Sequence, residues 1–572
     1  MGPSFVAALA YAADADVDAL RRAADDPHAL QHRELMARAL ALVGAWVRRS
    51  RRTGTPPPDD ADLRQAHGYV RHLAGRQSAG GTFVGGDNVL SPPDSAFTIN
   101  DVGDALELLG PFLSRDPAAA SLADELERIL ARATPALLTG GVHTPNHRWE
   151  VTAALARIHR HRPDPALVAR IDRWLAEGPD IDADGLWSER SPNYAAAVSC
   201  PAFLVMADVL GRPELVDPVR RNVRATLALL LPDDTVETVQ SRRQDQSRPF
   251  GLAPFAPVLW HLAVRDGRPD VVRAARRAVA SPMPEAGVMA ARAMTDPQLA
   301  RPLPGDAIAE DALPSRRVST FRDAGLVHVR EAGRSVVLFA GSDVPAEGRV
   351  RSGLAASPTF LRVFSGEAVL GDVRLSRGFF GLGPFRPTTI TSWHQDEDGA
   401  LLFRLTETVS AGYHQPLPAS RLRADAAYAL RDEGRFSAAM DFGARDVDVV
   451  TLRTTVDVTV RSDAIVLDLD LDGPDVPWAL QLTFRPGGTF SGVTDAAGGE
   501  RVLVDGTGTY RVGDDVLEFG PGNGSGPGQP AEYLPGQDHA YLGGTDRPEG
   551  EHVFITGRSP GRTRIVIGTG TP

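Results

Sequence analysis

The chain has 572 residues, of which 42% are hydrophobic and 23% charged. That length exceeds what one hydrophobic core supports, so two or three domains are expected, and the composition excludes wholesale disorder. A net charge of -12 argues against general binding to nucleic acid or an anionic membrane, and the single cysteine, Cys200, excludes an intramolecular disulfide framework and a cysteine-based zinc site.

The opening, "MGPSFVAALAYAADAD", has a short apolar stretch without a basic flank, so no signal peptide is expected. The location expected is the cytoplasm, or outside the cell with a leader absent from this chain. No apolar run reaches membrane-spanning length.

Up to about Arg277 the apolar residues recur with the helical period. "LADELERIL" puts Leu122, Leu126, Ile129 and Leu130 on one face, and "VDPVRRNVRATLALLL" does the same with Val219, Val223, Leu227 and Leu230. Long loops rich in Pro and Gly separate these segments, which suggests an array of helical hairpins. The Pro- and Ala-rich stretch 281–317 reads as a linker. From Val318 the period becomes two: Val456, Val458 and Val460 share one face of a strand, as do Leu467, Leu469 and Leu471. Many short strands broken by Gly, Asp and Pro indicate an antiparallel sandwich. "FGPGNGSGPGQPAEYLPGQDHAYLGG" reads as an irregular loop late in that sheet region.

Four polar clusters lie in the helical half. "SPPDSAFTIND" carries Asp94, Asn100 and Asp101, where Asp and Ser can cap a helix. In "PNHRWE", Asn146 can cap a helix too, whereas His147 and Trp149 have no capping role, and Glu150 follows them. "DGLWSERSPNYAAAVS" brings Trp187, Arg190 and Tyr194, with the tyrosine in the first turn of a small-residue helix. "DDTVETVQSRRQDQSR" packs Arg242, Arg243, Gln244 and Asp245 behind a strand-like "TVETV". Ordinary structure accounts for each alone: caps, a packed tyrosine, buried tryptophan rings, a solvated turn with local ion pairs.

Taken in order, the clusters resemble the polysaccharide lyases of the heparinase II/III-like and alginate-lyase superfamily. "NHRWE" matches that family's asparagine-bearing helix start. "DGLWSERSPNY" matches the stretch that carries its catalytic tyrosine, 48 residues after Asn146. The resemblance implies a multidomain chain: an N-terminal (α/α) toroid over 1–300, then a C-terminal antiparallel β-sandwich over 301–572. It further implies β-elimination on an acidic polysaccharide or oligosaccharide. That reaction needs donors that neutralise the uronate carboxylate, a base for the C5 proton and an acid for the departing O4. Asn146 and His147 are then the carboxylate donors, assisted by Arg242 or Arg243, whose planar forks suit a carboxylate. Tyr194 is the acid and also a base candidate; because a phenol titrates near about 10, the arginines gain a second purpose beside it. From the sandwich, Tyr413 and His414 are candidates for the base, ahead of His394. Trp149, Trp187, Glu150, Asp94, Arg190, Gln244 and His394 are candidates for substrate contact. One departure is plain: many relatives follow the tyrosine with histidine, and here Ala195 follows Tyr194.

No cofactor is implied, since no Gly-rich phosphate loop sits between a strand and a helix. Some relatives hold a structural metal in the sandwich, but His328, His394, His414, His539 and His552 are scattered, which gives zinc or calcium no support. Oligomeric state is left open. Two other functions fit the same residues. A hydrolase on a similar toroid would draw a carboxylate pair from Asp94, Asp101, Glu150, Asp184 and Glu189. A non-catalytic glycan-binding protein would stack sugars on Trp149 and Trp187.

Overall fold

Helix α1 (Phe5–Arg22) begins at Ser4, whose hydroxyl accepts from the Ala7 N–H, and α2 (His32–Thr53) begins with a capping box of Gln31 and Glu34. Then come α3 (Ala61–Gly75), α4 (Pro92–Leu109), α5 (Pro117–Thr139), α6 (Pro145–His161) and α7 (Pro165–Leu175). The last four each start with proline at the first helical position, where its missing N–H costs nothing. After a long loop the chain forms a single turn, α8 (Pro192–Tyr194), a π turn over Ala195–Ser199, and α9 (Cys200–Val209). The helical series closes with α10 (Asp217–Ala228), α11 (Ala256–Asp266), α12 (Pro269–Ala280) and α13 (Ala286–Ala293). This computed structural model describes residues 2–23, 25–56, 60–246, 248–305, 316–331, 333–343, 354–395, 399–428, 431–432, 439–523, 538–539 and 544–570.

The helices pack as inner and outer layers of a toroid. Inner α2, α4, α6 and α9 contact one another in succession, and α13 packs against α2 and α1. On the outside, α3 lies on α2, α5 on α4, α7 on α6, α10 on α9 and α12 on α11. The α5 face expected from the sequence is buried at all four positions. In α10, Val219 and Val223 are buried, while Leu227 is half-buried and Leu230 lies past the helix end.

The stretch read as a linker needs correcting. Residues 286–293 are α13, whose alanines and Gly287 pack closely in the toroid; a Cβ on Gly44 of α2 would meet the Ala291 Cβ at 2.6 Å. Leu299 accepts from the Phe5 N–H, Arg301 accepts from the Trp260 ring N–H, and Pro302 bridges to Ser4. These ties hold the chain to Pro302 in the helical unit, and the chain divides into units Met1–Pro314 and Ser315–Pro572.

The second unit holds two large sheets among the described residues. One runs in spatial order Thr489–Ser491, Gly508–Val512, Asp515–Gly520, Gly561–Gly570, Ala464–Asp472, Val447–Val460, Leu401–His414, Ile390–Gln395. The other runs Thr494–Asp495, Arg501–Val502, Glu551–Arg558, Pro477–Phe484, Ala368–Arg377, Leu361–Ser365, Arg334–Phe339, Leu326–Glu331, Arg316–Phe321. Pairing is antiparallel except between Arg501–Val502 and Glu551–Arg558. The two alternating strands expected from sequence pair directly, with Val456 opposite Leu469 and Val458 opposite Leu467, all buried in one core with Leu480, Leu482 and Ile565. Most of the Gly- and Pro-rich 519–544 segment lies outside the described residues.

No helix among the described residues is long and apolar enough to cross a membrane. Removing part of the buried layer between the sheets leaves a cavity, so Leu469→Ala is expected to destabilise the sheet unit by about 2–5 kcal/mol, read as a lower urea midpoint for its unfolding. An unchanged midpoint would contradict this packing.

Candidate functional site

Three loop-to-helix junctions build one polar cluster in the helical unit. The first is the start of α6, where Thr144 holds the N-cap position and Pro145 the first helical one. Asn146 is therefore inside the first turn, and its amide is not used as a cap. Asn146 Nδ2 donates instead to Glu189 Oε2 at 2.5 Å, a long-range bond that the capping reading of the sequence missed. Asn146 is buried, and its Oδ1 has no hydrogen-bond partner among the described residues.

His147 follows, also buried, with its ring edge-on to His143 at 4.6 Å and to Phe97 at 6.4 Å. Loss of hydration, together with the charges of His143 and Arg243, pushes its pKa down to about 4. The ring is thus neutral at pH 7. His147 offers a carboxylate a neutral N–H, not a positive charge.

The second junction is the loop 178–191. Trp187 pins it by packing on Phe203 in the core at 5.2 Å, and Gly185 makes its turn at φ +90, where a side chain would strike the Arg221 carbonyl. Arg190 then takes φ 52, a conformation uncommon outside glycine, directly after Glu189. Ser191 caps α8 by accepting from the Tyr194 N–H at 3.2 Å. Past the tyrosine the helix widens into the π turn, in which the Cys200 N–H reaches back to the Ala195 carbonyl.

The third is the loop 237–246, behind the two-residue strand Thr235–Val236, which pairs with Phe250–Gly251. Asp245 joins it to the second loop: its Oδ2 accepts from the Ser191 hydroxyl at 2.7 Å and from the Asn193 N–H at 3.2 Å. The two adjacent arginines divide their work. Arg242 braces backbone, donating from its N–H to the Glu189 carbonyl and from Nη1 to the Ser188 carbonyl, both at 2.9 Å. Arg243 reaches side chains. Its Nη1 donates to Glu189 Oε1 at 3.1 Å, its Nη2 to the Tyr194 hydroxyl at 2.9 Å, and its guanidinium carbon lies 4.5 Å from the Tyr194 ring centroid.

Glu189 is thus the centre, with one oxygen on Asn146 and the other on Arg243. Burial raises its pKa against the opposing pull of Arg243 and Asn146. Sequence reading had placed it only among carboxylates for a hydrolase.

Asp94 stands at the edge of this cluster as a fixed charge. Burial would raise its pKa, but the His32 hydrogen bond and the charge of Arg33 outweigh that and bring it to about 2. Arg33 is ion-paired with it and lies 4.0 Å over the Phe97 ring. A side chain on Gly86 would meet Asp94 Oδ2 at 2.1 Å. The expected cap of α4 is Ser91, not Asp94, and Asp101 is in mid-helix, paired with Arg292 at 2.8 Å.

Several expected contacts are corrected. Trp149 is fully buried, stacked edge-on with Phe203, with its ring N–H on Asp180 at 2.6 Å, and Trp187 is buried beside it; neither ring offers a face to a sugar. Glu150 is buried one turn below Asn146 and His147 and accepts from Asn100 Nδ2 at 2.6 Å, apart from the cluster. Arg190 and Gln244 lie half-buried next to Glu189 and Arg243 in their loops. In the sheet unit, Tyr413 is 63% exposed and 5.8 Å from the Phe380 ring, and His414 meets Phe442 at 4.9 Å. The side chain of His394 lies outside the described residues.

The backbone has likenesses among solved structures. It is similar to heparinase III, with a TM-score of 0.53 at 12% identity over 92% of this chain and 75% of that one. The fold is that of heparinase III. Two further alignments are with heparan sulfate lyase HepC from Pedobacter heparinus (TM-score 0.49, 13% identity, 95% and 76% covered) and with the Streptomyces coelicolor A3 chondroitin AC lyase in complex with chondroitin sulphate (0.43, 15%, 97% and 83%). No family model and no curated protein matches the sequence.

The depressed His147 value has a measurable consequence. The unfolded chain takes up a proton at this position near 6.5, while the folded chain resists until about 4. Stability contributed by the neutral ring is therefore complete above 6.5 and is lost as pH falls toward 4. NMR titration of the His147 ring is expected to show a midpoint near 4; a midpoint near 6.5 would contradict the buried placement.

Proposed function

We propose that the protein is a polysaccharide lyase that cleaves a uronic-acid-containing glycan by β-elimination. The observation that carries this reading is the Asn146–Glu189–Arg243–Tyr194 chain of hydrogen bonds, which puts an amide donor and a phenol around one carboxylate. The heparinase III fold supports the same reading.

In this proposal the uronate carboxylate takes the Asn146 amide, with the neutral His147 as a second donor. Holding the carboxylate by hydrogen bonds lets it accept the charge that develops when C5 loses its proton, as an oxyanion hole does. Tyr194, deprotonated, removes that proton and becomes a phenol. The electron pair forms the C4–C5 double bond, the C4–O4 bond breaks, and the phenol returns the proton to O4. One residue thus serves as base and then acid, and no atom is left over. Arg243 donates to the tyrosine oxygen, where negative charge resides whenever the proton is on the sugar. Glu189 holds Arg243 in line and occupies the Asn146 donor when no substrate carboxylate competes for it.

A hydrolase fits less well. It needs two carboxyl groups at liberty to exchange protons with substrate and water. Both Glu189 oxygens are bonded, Asp94 is held by Arg33 and His32, Asp101 by Arg292, and Glu150 takes the Asn100 amide apart from the cluster.

The test is a panel of acidic polysaccharides and their oligomers, followed by ultraviolet absorbance and product mass. The expected products carry the conjugated double bond and no added water. Tyr194→Phe is expected to lower kcat by about 10²–10⁴-fold and Asn146→Ala by about 10²–10³-fold. Products that gain water and lack the absorbance, or a near wild-type Tyr194→Phe enzyme, would overturn the proposal.

A further inference from the structure

A cavity of about 730 Å³ lies among the inner helices of the toroid, lined from α4, α6, α9, α11 and α13. Phe97 and Asn193 belong to its wall, and these are neighbours of His147 and Tyr194. None of Asn146, His147, Glu189, Tyr194 or Arg243 is among the residues that line it. Its size is that of a site for a small organic molecule.

The charges in its wall are unevenly matched. Arg157 is spent on both oxygens of Asp104, at 2.7 and 3.2 Å, and on Asn100 Oδ1 at 3.0 Å. Arg292 holds both oxygens of Asp101, at 2.8 and 3.0 Å. Arg160 lies between Glu107 and Asp208, and His261 Nδ1 is 2.6 Å from Asp296. Arg265 and Glu285 add one charge of each sign. Arg265 and Glu285 are exposed, whereas Glu150 is buried. Its side-chain partner among the described residues is the neutral Asn100 amide, and no ion pair holds it. The lining also has apolar members, among them Pro201, Val205, Pro257, Val258, Val288 and Met289.

We propose that this cavity binds a small organic cation with an apolar body, its ammonium group on Glu150 and its body on the Pro, Val and Met wall. A buried carboxylate without a direct ion pair is unfavourable, and a bound cation supplies that pair. Beside Glu150, an anion would have to displace an aspartate from Arg157 or Arg292. A neutral ligand would leave Glu150 as it stands. The charged groups around Glu150 are Arg157 on its own helix, Asp101 and Asp104 on α4, Arg292 on α13 and Arg33 on α2. Burial outweighs the three arginines and pushes Glu150 up to about 7, so its ionised form, which a cation needs, is gained on passing from pH 6 to pH 8. This inference stands apart from the lyase reading and uses none of its residues.

The experiment is calorimetric titration of the full chain with benzylammonium, benzyl alcohol and benzoate. Benzylammonium is expected to bind saturably at pH 8, about 10-fold more weakly at pH 6 and at least about 10-fold more weakly in Glu150→Gln, while benzyl alcohol binds both proteins alike. Met289→Trp, which fills the apolar side, is expected to abolish both. Should Glu150→Gln fail to fold, the pH pair and Met289→Trp still decide. No saturable benzylammonium binding, equal binding in Glu150→Gln and wild type, no loss at pH 6, binding that survives Met289→Trp, or preference for benzoate would each overturn the proposal.

Discussion

One buried carboxylate organises the polar cluster of the helical unit. Glu189 is only 8% exposed, and at that depth a charge is tolerated where it is bonded on every side. Arg243 supplies the counter-charge and Asn146 the remaining donor. Because Arg243 is a planar fork, satisfying Glu189 with one nitrogen aims another at Tyr194. A lysine would meet the charge without fixing the direction. The tyrosine's position is thus a consequence of how the carboxylate is neutralised.

The fold delivers these groups from three places in the chain, and each delivery has its own anchor. Pro145 sets the start of α6, so that Asn146 and His147 fall in its first turn. Trp187 sinks into the core beside Trp149 and fixes the loop from which Glu189 emerges. Asp245 clamps the arginine loop to the Ser191 cap of the tyrosine turn. The aromatic residues of the region therefore act below the site, holding the loops from the interior, while the polar residues form the site itself. The π turn after Tyr194, with its run of alanines, packs against α6.

Periodicity made much of this architecture legible. The face of α5 and the paired strands around Val456 and Leu469 follow from apolar spacing alone, since burial on one side is a local property of a helix or strand. Stretch 286–293 was misread because alanines and glycine look like linker composition, yet small residues are what a close helix contact requires. Trp149 and Trp187 were misread for a related reason: a tryptophan suits a sugar face or a core equally, and only the surrounding helices decide. Asn146, His147, Tyr194 and the paired arginines were visible as polar clusters and the family resemblance grouped them, but the carboxylate that joins Asn146 to Arg243 was not. Glu189 joins partners 43 and 54 residues away in opposite directions along the chain, and no local pattern encodes such a pairing. Which arginine reaches the tyrosine was equally hidden, since it depends on the loop's turn, not on composition.

The most direct measurement is a structure of the Tyr194→Phe variant with an acidic tetrasaccharide bound. The account predicts a sugar carboxylate within hydrogen-bond distance of Asn146 Nδ2, with Glu189 displaced from that donor and C5 facing position 194. A sugar bound with its carboxylate elsewhere, and the Asn146–Glu189 bond intact beside it, would contradict the account.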